Sequence, residues 1–317
     1  MTTQSDKAPA LELKNLSYTY VNDWTRHKIC ALRNVNLEVF AGESFGFLGH
    51  NGAGKTTTIK CILHLIRPLK GQILIFGLPS SSAQARREVG YLAEQPYFYD
   101  NLTVLELMQM YAALLEIPRP RRKDSIMQAL ELVKLTERHN LRMRALSKGL
   151  LQRVAMAQAI VGRPRLLILD EPFSGLDPIG RKEFRELLTN LKQAGTTIFM
   201  SSHILSDVEF LCDRVSILAH GEIKGIFELR NLPDAASGVF ELVVRRNEKF
   251  IKILDGLYQE IKAENKFLRF FFKDRGPAEK ALQLALQHQV AIESFEFVHG
   301  GLEELFVKLV KSAATRP

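Results

Sequence analysis

Residues 11–20 (LELKNLSYTY) alternate apolar and polar side chains, and Val35-Asn36-Leu37-Glu38-Val39-Phe40 alternates more regularly still. A period of two predicts half-buried strands, so the chain starts β-rich. From Ser44 the pattern changes: short apolar runs (SFGFLG, RLLILD at 165–170, TTIFMSS at 196–202) are separated by longer stretches with helical spacing. Continuous apolar strands alternating with helices predict a parallel sheet covered on both faces. Between about 96 and 163 the strand signal stops. Thr103-Val104-Leu105-Glu106 reads as a capping-box start to an apolar helix through Leu115, and a Pro- and Arg-rich break at 117–123 leads into another helix. That stretch predicts a helical insertion within an α/β domain.

Near Asn231-Leu232-Pro233-Asp234 the rhythm changes again, and the Pro/Asp/Ala/Ser/Gly stretch reads as a linker. Beyond it follow VFELVVRR, EKFIKILDGLYQEI, KFLRFFFKD, PAEKALQLALQHQV, AIESFEF and LEELFVKLV, read alternately as strand and helix. The organisation predicted is a first domain over 1–232 and a small accessory α/β domain over 236–317, with Phe270, Phe271 and Phe272 as strand core.

Composition narrows this without redirecting it. In 317 residues, 46% hydrophobic and 25% charged, there is material for about two globular domains. The first residues, MTTQSDKAPA, lack the basic start and apolar middle of a secretory signal, and no run of ~18 apolar residues occurs. A cytoplasmic chain is expected. Cys30, Cys61 and Cys212 are scattered without metal-ligand spacing and read as small buried apolar groups. A net charge of +8 suits either an anionic partner, such as nucleic acid or a membrane surface, or a plain basic surface.

The candidate chemistry begins at GHNGAGKTT, 49–57. Gly49, Gly54, Lys55 and Thr56 satisfy GxxxxGK[ST] after a predicted strand and before a predicted helix, the context this phosphate-cradling pattern requires. Without Cβ atoms the loop Gly49-His50-Asn51-Gly52-Ala53-Gly54 can turn successive N–H groups on an anion, and the helix begun by Lys55, Thr56 and Thr57 adds the positive end of its dipole. The expected ligand is a polyphosphate, with Lys55 bridging the β- and γ-phosphates and the Thr56 hydroxyl on Mg²⁺. The run 166–171 (LLILDE) ends a buried strand in two carboxylates. Asp170 needs a cation, which the same Mg²⁺ would supply, and Glu171 would orient and deprotonate an attacking water.

Leu146-Ser147-Lys148-Gly149-Leu150, followed by Leu151-Gln152-Arg153, resembles the LSGGQ signature of ABC-type ATPases. The order of motifs also matches: GHNGAGKTT, GYLAEQ at 90–95, LSKGL, LLILDEP, SGLD at 174–177 and SSH ending at His203. Over residues 11–227 the chain therefore resembles the nucleotide-binding subunit of an ABC transporter, especially exporters whose ATPase and permease are separate chains. The resemblance implies a P-loop NTPase core of ABC type with ATP and Mg²⁺ as ligands. It further implies Tyr20 stacked on adenine, with Tyr18 and Trp24 as rivals, and His203 contacting the γ-phosphate. Ser147, Gly149 and Asp177 would close over a nucleotide held by another copy, which implies a head-to-tail dimer of this chain or a paralogue. Lys148 and Leu150 depart from the signature, and Glu94, with Gln95 next, stands where a glutamine is usual; Glu94 can still ligand Mg²⁺ or a water.

The function expected is an ATP-hydrolysing subunit driving a separate membrane permease, for export, bound peripherally to the cytoplasmic face with no nucleic acid. The alternative is a soluble ABC-type ATPase acting on nucleic acid or the ribosome. No heptad run and no second phosphate loop favour that alternative.

Overall fold

The computed structural model describes residues 8–21, 28–231, 239–264 and 266–298, with the single positions 302, 305, 306 and 309. Trp24, the linker from Leu232 and most of the terminal segment from Gly301 lie outside the described residues. By its internal contacts the chain forms two units, Met1–Phe227 and Glu228–Pro317.

In the first unit β1 (Pro9–Val21) and β2 (Lys28–Phe40) pair antiparallel from Pro9↔Phe40 to Val21↔Lys28. The clean alternation at 35–40 is thus only the second half of a strand. Register shifts in the first half, between Leu16, Tyr18 and Thr19, break the period of two and hide it in the sequence. The strands β3 (Ser44–Leu48), β4 (Lys70–Ile75), β5 (Leu78–Pro79) and β6 (Val89–Leu92) follow, with helices α1 (Lys55–Ile62) and α2 (Ala83–Arg87) between them. β1, β2, β4 and β5 form a four-stranded sheet in the order β2-β1-β4-β5.

The insertion holds α3 (Val104–Leu114), α4 (Arg119–Leu132) and α5 (Lys148–Ile160). Thr103 and Glu106 make the expected reciprocal capping box on α3. The Arg-rich run is a different matter. Read as a break through 123, it belongs to α4 from Arg119 onward, because Pro120 sits in the first turn, where a missing N–H costs no helical bond.

The chain then returns through β7 (Leu166–Asp170), α6 (Pro178–Gln193), β8 (Thr197–Ser202), α7 (Leu205–Leu211), β9 (Arg214–Ala219) and β10 (Glu222–Glu228). The second sheet runs β10-β9-β3-β8-β7-β6, with β3 parallel to β8 and β9, and β7 parallel to β6 and β8. β3, β7 and β8 are buried at every position, which is why they read as unbroken apolar runs. Phe199 of β8 stacks on Phe45 and tilts against Phe47, filling the space beside α1. Cys61 and Cys212 lie in the core as expected, burial pushing the Cys61 thiol up to about 11. Cys30 is exposed, a correction that follows from its place near the β1–β2 hairpin end.

The second unit is an antiparallel sheet, β12-β13-β11-β14, made by β11 (Val239–Arg245), β12 (Glu260–Glu264), β13 (Phe267–Phe272) and β14 (Ile292–Val298). Helices α8 (Glu248–Ile253) and α9 (Arg275–Gln287) pack on one of its faces. The helix read over EKFIKILDGLYQEI stops early: Gly256 takes φ +77 and the chain re-enters the sheet at Glu260. Phe270 and Phe272 are fully buried, whereas Phe271 points from the opposite face and carries Lys262 over its ring at 5.0 Å. Ending the chain after Asn231 should leave a fragment that unfolds in one cooperative step and still binds nucleotide, as followed by calorimetry with and without ATP. An insoluble or non-cooperative fragment would place the boundary elsewhere.

Candidate functional site

The carboxyl ends of β3, β7 and β8 lie side by side, with Leu48 level with Ser202 and Asp170 level with Ser201. Ligands of open α/β sheets bind at such ends. β3 leads into the glycine loop, which is tight enough to exclude side chains. A Cβ on Gly49 would meet the Leu218 carbonyl at 2.7 Å, and Gly54 combines φ +113 with the Ala31 carbonyl at 2.8 Å. Gly54 also caps α1 without a side chain, so the first N–H groups of α1 keep their capacity for an anion.

Lys55 is buried, its Nζ donating to Gly49 O at 2.7 Å and lying 3.3 Å from Glu171 Oε1. His50 turns its Nδ1 to Asn51 O at 2.7 Å and lies 5.4 Å, ring to ring, from His220. Tyr20 reaches in from β1, its hydroxyl 3.3 Å from Thr57 Oγ1. Tyr20, His50, Lys55 and Thr57, with Asn51, Gly52, Thr56, Glu94, Glu171 and His203, line a cleft of ≈ 510 Å³. Tyr18 stands edge-on to Tyr20 and packs into the core instead of lining the cleft, while Ala53 is buried beneath the loop.

Asp170 is buried, and burial raises its carboxyl above the usual range; bonds from the Ser201 and Thr56 hydroxyls offset this only in part. Ser201 Oγ donates to Asp170 Oδ1 at 2.5 Å. A carboxyl raised in the fold is a cost when ionised, present in full above its folded pKa and lost as pH falls from there through its unfolded value. A hard divalent cation relieves it equally, and oxygen donors from Thr56, Asp170 and Glu94 suit Mg²⁺ chemistry. Asp170→Asn should therefore raise the melting temperature of nucleotide-free protein by roughly 2–4 °C while removing magnesium-dependent ATP binding. A lowered melting temperature would show that Asp170 is already adequately paired.

Glu171 takes φ +50, left-handed for a non-glycine residue, at the turn after β7. Its N–H donates to Ser201 O and Oγ, both at 3.2 Å, and its Oε2 meets His203 Nδ1 at 2.8 Å. The side chain is nearly buried while His203 is half exposed, so the pair spans the cleft wall from core to solvent. Glu94 is exposed on the rim; with Asp170 it adds to the burial that pushes the Tyr91 phenol up to about 12.

Ser147, Gly149 and Asp177 are not in this cleft. They line another of ≈ 490 Å³, together with Lys148, Arg138 and Arg153. Ser147 caps α5, accepting from Leu150 N at 3.4 Å, and Asp177 caps α6, accepting from Gly180 N at 2.7 Å. Lys148 lies against Gly175, where a Cβ would meet its Cε at 2.4 Å. Two further residues, Ser201 bonded to Asp170 and Cys30 in the first cleft, escaped the sequence reading. Ser201 sits within the SSH segment, and only the β7–β8 register reveals its bond to Asp170. Cys30 lines the cleft beside Tyr20 because β2 is longer than its pattern shows.

A glycine loop heading a helix, a buried carboxylate and a carboxylate–histidine pair at neighbouring strand ends define a nucleoside-triphosphate site of the phosphate-loop class. Comparison makes the family specific. A family model for the ABC transporter matches residues 32–174. The chain is 34% identical to the bacitracin transport ATP-binding protein BcrA of Bacillus licheniformis, over 87% of this chain and 91% of that protein. The BcrA of Enterococcus faecalis is 33% identical over 95% and 96%. An uncharacterized ABC transporter ATP-binding protein of Nostoc is 48% identical, but the match spans 63% of this chain and 60% of that protein. Among solved structures, an ATP-binding cassette dimer in a post-hydrolysis state with ADP and Pi aligns with TM-score 0.64 and 27% identity, covering 69% of this chain and 99% of that one. The chain belongs to the ABC transporter family, as an ATP-binding subunit of its ABC-type ATPase class. The alternative of a nucleic-acid ATPase finds no support among these relatives.

Proposed function

We propose that this protein hydrolyses ATP on the cytoplasmic face of a membrane to drive a separate permease chain, in the direction of export. The observation that carries this is the meeting of Lys55, Glu171 and His203 at adjacent strand ends, within 3.3 Å of one another along the chain of contacts. In this reading the loop from Gly49 to Gly54 cradles the phosphates, Lys55 exchanges Gly49 O for phosphoryl oxygens, and Tyr20 supports the base. Glu171, oriented by His203, takes the proton of the water that attacks the γ-phosphate. Mg²⁺, when bound to Thr56, Asp170 and Glu94, would neutralise phosphoryl charge.

The division of the expected residues between two clefts supports a head-to-tail pair of copies, or of this chain and a paralogue, with Ser147, Gly149 and Asp177 of one facing the nucleotide of the other. Likeness over 87% and 95% of this chain to two bacitracin transport ATP-binding proteins supports a transport role, and export is the direction proposed. The accessory unit after Asn231 is proposed as an independent domain. Among the described residues no helix is long and apolar enough to cross a membrane, so the pathway would belong to a partner. Affinity purification of the full chain from detergent-solubilised membranes should retain a polytopic protein in an ATP-sensitive complex; recovery of ribosomes or nucleic acid instead would overturn the reading.

A further inference from the structure

Of the eight residues lining a groove of ≈ 620 Å³ on the insertion, five come from one stripe of α4: Arg119, Arg122, Lys123, Ile126 and Met127. Their spacing of i, i+3, i+4, i+7 and i+8 puts them on a single helical face. That face is graded, cationic over the first turns and apolar over the third. Leu105 and Gln109 of α3 form the opposite wall.

The cations have little to do within the protein. Among the described residues, none of Arg119, Arg121, Arg122 and Lys123 has a carboxylate at ion-pair distance, while Arg87, Arg153, Arg165 and Arg185 all do. Arg122 donates its Nε to Ile117 O at 2.7 Å, and no acidic side chain occupies the first turn of α4. Positive side chains at the positive end of a helix raise its energy unless an anion offsets them. The wider insertion leans the same way, with eleven Lys and Arg against six Asp and Glu between 96 and 163.

We propose that this groove binds the headgroup of an anionic phospholipid, so that the insertion rests on the membrane surface beside the permease. The phosphodiester would lie among Arg119, Arg122 and Lys123, and the glycerol and first acyl carbons along the part-exposed Met127 and Leu105, with Ile126 buried at the groove floor. A free phosphate would leave the apolar half of the stripe without use, and an acidic peptide would present charge where the groove is apolar. Charge complementarity and the grading of the face therefore favour an amphiphile. The inference rests on the chain working at a membrane and is independent of its ATP chemistry.

The test is sedimentation of the full chain with vesicles of phosphatidylcholine alone or with phosphatidylglycerol. Binding should require the anionic lipid and weaken as salt rises from about 0.05 to 0.5 M. Arg119→Gln/Lys123→Gln should lower partition at least about tenfold. These side chains make no hydrogen bond among the described residues, so the fold and the ATP affinity should persist. Leu105→Gln should lower it further at high salt. As a control, Lys249→Gln/Lys280→Gln removes equal charge from exposed positions and should have little effect. Equal loss in the control, equal binding to both vesicles, or displacement by millimolar glycerol 3-phosphate at constant ionic strength would overturn the proposal. Loss of ATP binding with vesicle binding intact would count against the nucleotide reading alone.

Discussion

Glu171→Gln should slow steady-state ATP hydrolysis by about 10²–10⁴, the usual contribution of a positioned base, and leave ATP affinity within a few-fold of the parent. Gln keeps the length and one acceptor oxygen of Glu171, so the contact with His203 Nδ1, 2.8 Å in the parent, can persist. What is lost is the proton acceptor. Because binding and product release are untouched, ATP should accumulate on the protein and hold two copies together, visible as an ATP-dependent dimer by size exclusion. The measurements are phosphate release under saturating ATP and retained nucleotide after gel filtration. An unchanged turnover rate would remove Glu171 from proton transfer and leave it a structural turn residue whose φ of +50 serves only to end β7.

The second large effect falls on binding. Lys55→Met should weaken ATP affinity by roughly 10²–10³, since charge-assisted bonds to phosphate are each worth about 1.5–3 kcal/mol and this ammonium can make more than one. Met fills much of the same buried space, so the loss is chiefly electrostatic. A second consequence follows from the geometry: Lys55 Nζ is 3.3 Å from Glu171 Oε1, so removing it leaves that nearly buried carboxylate with His203 as its remaining partner. Residual turnover at saturating ATP should therefore fall as well, which a pure binding defect would not produce. Calorimetric titration with ATP, followed by hydrolysis at high substrate, separates the two. Affinity within twofold of the parent would show that loop amides alone hold the phosphates.

The site was legible wherever local chemistry dictates local shape. Gly49 and Gly54 can be read as a loop because no other residue tolerates a carbonyl at 2.7–2.8 Å from its Cβ, and Asp170 and Glu171 stand out because carboxylates seldom end an apolar strand. The capping box at Thr103 and Glu106 is equally local, three residues apart on one turn. Long-range pairing hid the remainder. Nothing near Ser201 in sequence says that it will lie level with Asp170, thirty-one positions away, and donate to it at 2.5 Å. The first half of β2 was obscured because register shifts cancel its alternation, and with it went the place of Cys30 in the cleft. Arg119, Arg122, Lys123, Ile126 and Met127 look like a broken basic tract on the page and become one graded face only on a helix.

By itself, then, the sequence determined the phosphate loop, the buried strands and the carboxylate pair, each written in a short window where backbone freedom or burial leaves few choices. Tertiary structure alone decided that Glu171 meets both Lys55 and His203, that Ser147 and Asp177 lie in a separate cleft, and that charge of the insertion lines one groove whose far end is apolar. The reason is physical: these relations depend on which strands lie next to one another and in what register, which is settled by packing the whole sheet and cannot be read from any one of its strands.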